Sequence, residues 1–170
     1  MNSRPTQVVV TGAAIVLALA LQTTVLSRLP LPGNQPSLLL VLVVAAALAG
    51  GVPAGVGVGF TTGLAADLLS SHPAGLLALV FLLVGLLVGR IEAPSERSVV
   101  WPIVVMAVAA VGSFLCYLVV LTLVDRGSVG WHTQLAGLPA GVLYDVMLTP
   151  FVVPVVAGAE RRLRVLAVRQ

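Results

Sequence analysis

From Ser37 to Ala66 the chain carries no charged residue, and its apolar character continues to Leu69. Nothing else in the sequence limits the fold so tightly. A helix needs about 20 apolar residues to cross a hydrocarbon core of roughly 30 Å, so this run is too long for one crossing and too apolar for a soluble surface. In its middle, Gly50-Gly51-Val52-Pro53 is a turn signature, because glycine permits positive φ and proline removes a helical donor. The run therefore reads as a tight helical hairpin whose first arm is short and need not cross fully.

The rest of the chain follows the same pattern. Residues are 59% hydrophobic and only 9% charged, with a mean hydropathy of +1.12, whereas a soluble domain carries about 25% charge. Breaks placed where Pro, Gly and charge cluster leave six apolar segments: Val8 to Leu26, Ser37 to Gly50, Pro53 to Leu69, Ala74 to Gly89, Val100 to Val124 and Leu138 to Ala159. The expected fold is all-α, a single polytopic membrane bundle of about six transmembrane helices with no room for a separate soluble domain.

Charge supplies an independent test. The sequence pI of about 10.0 comes from nine basic residues, all arginine, a balance that in a soluble protein suggests nucleic acid. Here the arginines sit at segment ends, and topology accounts for them without a nucleic-acid partner. With the N-terminus in the cytoplasm, Arg4, Arg90, Arg97, Arg161, Arg162, Arg164 and Arg169 fall inside, and Arg28 and Arg126 outside. Cytoplasmic connectors collect Arg and Lys, so both termini are expected inside, which requires an even number of spans. Arg4, the apolar Val8 to Leu21 and Ala18-Leu19-Ala20 also resemble a secretory signal with a cleavage site. A single charge precedes the apolar stretch and the remainder is itself membrane-embedded, which makes a retained first span the simpler account.

Glycines recur every four residues at Gly51, Gly55, Gly59 and Gly63, and the same row reaches Asp67. On a helix this spacing makes a slowly drifting strip without side chains, along which another backbone can approach closely. The strip either packs within the protein's own bundle or docks a partner helix; the outer end near Arg28 and His72 is the expected partner-facing edge. Ala14 and Ala18, and Gly85 and Gly89, repeat the small-xxx-small spacing. Two acids lie inside apolar segments, Asp67 and Asp145. An ionised carboxylate in hydrocarbon costs at least about 2.5 kcal/mol, so each is expected to find a partner among Arg28, Arg126, Tyr144 and the N-terminal backbone donors of neighbouring helices. Pro139, Pro150 and Pro154 predict a discontinuous or kinked sixth segment. The Glu160-Arg161-Arg162-Leu163-Arg164 cluster suits contact with anionic lipid or a topology anchor.

No catalytic constellation emerges. Intramembrane aspartyl proteases pair two carboxylates, and Tyr144-Asp145 is superficially similar to one half of the presenilin-type pair, but Ala65-Ala66 stand where Gly-x-Gly would precede Asp67. Lipoprotein signal peptidases carry intramembrane asparagines, whereas the two asparagines here, Asn2 and Asn34, lie outside the segments. His72 and His132 with the two acids do not follow a recognised metal-ligand spacing. Ser113 and Cys116 have no intramembrane histidine as base, the single cysteine excludes a disulfide framework, and no glycine-rich loop ends in Lys-Ser or Lys-Thr. No enzymatic activity, cofactor or metal is expected.

The run Gly59-Phe60-Thr61-Thr62-Gly63-Leu64-Ala65-Ala66-Asp67-Leu68-Leu69, followed by Gly75 and by Val84-Gly85-Leu86-Leu87-Val88-Gly89, resembles the rod shape-determining protein MreD family. Tyr144-Asp145-Val146-Met147-Leu148-Thr149-Pro150, Pro36 through Leu42, and Gln22 are similar to it as well, so the likeness runs from about Gln22 to Pro154. The resemblance implies a noncatalytic, multi-pass protein of the bacterial cytoplasmic membrane that supports lateral peptidoglycan synthesis. Its implied partners are an MreC-like bitopic scaffold, the MreB filament, and a RodA-type polymerase with its transpeptidase. The implied fold is similar to the S components of energy-coupling-factor vitamin transporters, and the alternative reading is that the chain is itself such a substrate-binding S component. In that reading Ala14 and Ala18 face the coupling partner.

Overall fold

The computed structural model describes residues 3–24, 36–69, 75–91, 100–124 and 131–168. Among them it forms five helices: α1 Ser3–Thr24, α2 Leu38–Leu69, α3 Leu76–Gly89, α4 Val100–Val124 and α5 Trp131–Val168. Three contain stretches long and apolar enough to cross a membrane, Leu38–Leu69, Val100–Val120 and Pro139–Gly158, and Val10–Thr24 and Leu76–Gly89 are shorter apolar helices.

The expected segments 37–50 and 53–69 are two arms of α2. Gly51 leaves the helical conformation at φ 70° and ψ −161°, a region essentially reserved for glycine. A Cβ built on Gly55 would lie 2.8 Å from that of Ala47, whereas eight residues of straight helix rise about 12 Å. The chain therefore turns back on itself at Gly51. Replacing Gly51 by alanine is expected to cost about 1–3 kcal/mol, the usual strain of forcing a side chain into such a conformation. Unfolding in mixed micelles measures it, and a midpoint equal to the parent's would mean that the turn does not depend on glycine.

The first arm is the centre of the bundle. Every residue from Leu39 to Ala47 is buried, the signature of a helix apolar on all sides and enclosed by protein. Spanning 38–50, it reaches roughly 20 Å at 1.5 Å per residue, less than the hydrocarbon thickness. Protein surrounds it, so its length need not match the lipid. α2 touches each of the other four helices, and α3 runs antiparallel along its second arm, with Gly89 beside Val52, Phe81 beside Gly59 and Ala78 beside Gly63.

The outer faces are apolar. Val100, Val104, Val108, Val111, Leu115, Val119 and Leu123 of α4 are exposed, as are Leu143, Met147, Phe151 and Val155 of α5. Spacings of three and four residues place each set in one stripe. The buried set includes Thr62, Asp67, Ser113, Asp145 and Thr149 beside the apolar core, while the outward stripes of α4 and α5 are apolar. That arrangement belongs to an integral membrane protein.

The sixth expected segment differs from its prediction in two ways. α5 begins at Trp131 rather than Leu138 and continues to Val168 rather than Ala159, because hydropathy senses the lipid-soluble part of a helix and not its polar ends. It also runs unbroken through Pro139, Pro150 and Pro154. All three prolines lie on its exposed side, where the preceding turn can tilt outward without displacing a packed neighbour.

Candidate functional site

The two intramembrane acids both serve helix N-termini. The first turn of any helix leaves backbone N–H groups without intrahelical acceptors, and in lipid no water satisfies them. At the start of α3 the capping position is Gly75, at φ 98°, which has no side chain to offer. Asp67, from the second arm of α2, supplies the acceptors. Its Oδ2 accepts from the N–H groups of Gly75 at 2.9 Å and Ala78 at 3.0 Å, and its Oδ1 from that of Leu77 at 3.1 Å. The carboxylate also lies at the positive end of the α3 dipole and is only 3% exposed.

The start of α2 is capped by three side chains. Ser37 Oγ accepts from the Leu40 N–H at 3.3 Å, Gln22 Oε1 of α1 accepts from the Leu39 N–H at 3.3 Å, and Asp145 Oδ1 of α5 accepts from the Ser37 N–H at 2.6 Å. One set of orphan donors thus pins α1, α2 and α5 together. Ser37 fits the sequence signal of a capping residue before an apolar run; Gln22 carries no such signal, because its role depends on where α1 docks. Among the partners expected for the acids, backbone donors at helix N-termini are present at both. Tyr144 is half-buried on α5, and Arg28, His72, Arg126 and His132 lie outside the residues whose side chains are described.

The glycine row faces α3. A Cβ on Gly63 would come within 2.5 Å of the Ala78 Cα, and one on Gly89 within 2.7 Å of the Val52 Cα. Gly55 and Gly85 meet backbone to backbone, as do Gly59 and Phe81. The face left bare by Gly55, Gly59 and Gly63 is thus filled by the chain's own next helix, and the row ends where Asp67 caps that helix. Ala14 and Ala18 are half-buried and pack against the core. Pro150, on the exposed side of α5, stands apart from the face that carries Asp145.

Two of the remaining buried hydroxyls turn to their own helices. Ser113 Oγ donates to the Ala110 carbonyl at 2.9 Å, and Thr149 Oγ1 to the Asp145 carbonyl at 2.8 Å. Thr62 Oγ1 is buried without a partner, and nothing in the structure explains it. Among the described residues no group of three or more His, Cys, Asp and Glu is disposed to hold a metal ion. Each carboxyl group bonds the start of a different helix, Asp67 tying α3 to α2 and Asp145 tying α2 to α5.

No curated protein and no solved structure matches the chain. The family described as rod shape-determining protein MreD matches residues 3–131, a stretch that includes the hairpin, the glycine seam and the Asp67 cap, while Asp145 lies beyond it. That match covers well over half of the sequence, and the chain belongs to the MreD family of rod shape-determining membrane proteins.

Proposed function

We propose that the protein is a noncatalytic component of the bacterial cell-elongation complex in the cytoplasmic membrane, crossing it six times with both termini in the cytosol. In this reading it supports lateral peptidoglycan synthesis by helix–helix contact with an MreC-like bitopic scaffold. The MreB filament and a RodA-type polymerase with its transpeptidase are the further members of that assembly, and the architecture is similar to that of S components. The observation that carries the reading is that both intramembrane carboxylates bond helix N-termini, a structural use, while the outward faces of α4 and α5 are apolar stripes. A protein built this way acts through its surfaces. In lipid such contacts rest on close packing, since burial against another apolar helix gains little.

The vitamin-binding alternative calls for a solute site of about 300–1,000 Å³. The cavity between the first arm of α2 and helices α3, α4 and α5 measures about 180 Å³, which favours the elongation reading.

Crosslinking tests the proposal. With Cys116 replaced by serine, single cysteines at the exposed positions Phe60, Thr61, Leu64 and Leu68 of α2 are expected to crosslink to the scaffold in membranes. Cysteines at the buried Gly59 and Gly63 are not. Absence of any scaffold crosslink from the whole exterior, together with nanomolar vitamin binding by the purified chain, would reverse the assignment.

A further inference from the structure

We propose that the cavity beside Asp145 is a binding site for a short alkylammonium cation, a property independent of the elongation reading. Its volume is about 180 Å³ and its walls include Leu40, Val80, Phe81, Phe114 and Tyr117, with Asp145 as the acid among them. Asp145 is 5% exposed. Its Oδ1 is occupied by the Ser37 N–H, while Oδ2 accepts no hydrogen bond among the described residues. A carboxyl oxygen left open among apolar walls calls for a donor or a positive charge.

Two neighbouring hydroxyls are engaged elsewhere. Ser37 Oγ accepts from Leu40, and Ser113 Oγ donates to the Ala110 carbonyl. A metal ion would want several hard ligands, and the described residues offer no acid or imidazole cluster. Water requires two to four polar partners, which the apolar walls do not provide across most of the space. An alkylammonium meets each condition: its N–H groups reach Oδ2, its chain lies against Leu40 and Val80, and the rings of Phe81, Phe114 and Tyr117 favour a nearby cation. Size sets the length of the chain. A cavity of about 150 Å³ holds a benzene molecule, so this one takes roughly six to eight non-hydrogen atoms, the size of n-hexylammonium. The same ammonium chemistry comes either from a free amine or from the headgroup of an aminophospholipid.

The experiment is calorimetric titration of the full chain in phosphatidylcholine nanodiscs, with empty discs subtracted. n-Hexylammonium is expected to bind saturably, one per chain, and at least tenfold more tightly than n-hexanol. Asp145→Asn keeps an oxygen for the Ser37 N–H but removes the charge, and is expected to bring the amine down to the alcohol's affinity. Ala110→Leu fills the cavity from α4 with Asp145 untouched, and is expected to abolish binding of both. Replacing a quarter of the lipid by phosphatidylethanolamine identifies the source: weakened amine binding assigns the site to the lipid headgroup, and unchanged binding assigns it to a free amine. Equal affinity for amine and alcohol in the parent, or no saturable binding, overturns the proposal without requiring either variant to fold. Unaltered binding in a folded Ala110→Leu overturns it as well.

Discussion

Leucine in place of Gly59 is expected to force α3 off the second arm of α2 and to cost on the order of 3 kcal/mol, the upper end of what overpacking produces. The three atoms nearest a Cβ at this position are all backbone, including the Phe81 carbonyl carbon at 2.8 Å and the Leu82 nitrogen at 3.2 Å. Backbone this near cannot rotate aside as a side chain would, so the helices themselves must separate. Even alanine should be harmful here. Two residues away, a methyl group added to Gly57 would meet nothing within 4 Å, and Gly57→Ala should be neutral or stabilising by up to about 1 kcal/mol, as for an open helix interior. Detergent unfolding of the two variants side by side measures the contrast, and equal midpoints would show that the seam does not need its glycines. Rescue of rod shape in cells lacking the native protein is expected from Gly57→Ala and not from Gly59→Leu.

Removing the Asp67 carboxylate should be comparably severe. Asp67→Ala strands the N–H groups of Gly75, Leu77 and Ala78 in a buried site, and each orphaned donor costs about 1–3 kcal/mol. A loss of roughly 3 kcal/mol or more follows from those three donors unless the first turn of α3 unwinds. Asp67→Asn is expected to fall between the two, at about 1–2 kcal/mol by the same reasoning. Its amide oxygen can serve the Gly75 and Ala78 donors, but its NH2 group then opposes the Leu77 N–H. Hydrogen exchange locates the damage: the Leu77 and Ala78 amides should exchange faster in both variants, most in Asp67→Ala. Parent-like protection there would show that the cap is dispensable.

Much of this site was legible before the fold was known, and the reason differs from residue to residue. Gly51 could be read as a turn because a conformation that excludes side chains leaves its mark on residue type. Asp67 and Asp145 stood out because the cost of an ionised group in lipid demands a partner, and backbone donors at helix ends were among the partners expected. Which helix each acid serves was not legible. Gln22 bonds Leu39, and Asp145 bonds Ser37 across 108 positions of chain; such pairings depend on docking and leave no local pattern. Arg28 is a candidate partner on topology alone and lies outside the described residues.

Sequence alone determined that the chain is an apolar α-helical membrane protein, that it reverses near Gly51, and that a smooth glycine strip leads to a costly acid. Those features follow from transfer free energy and backbone sterics, which are properties of individual residues and their near neighbours. Only the tertiary structure decided that the arm from 38 to 50 is the buried centre, that α3 is the helix lying along the glycines, and that a cavity adjoins Asp145. The physical reason is that lipid is as apolar as leucine: a membrane helix can be hydrophobic on every side, so the pattern of its sequence does not say which side faces protein.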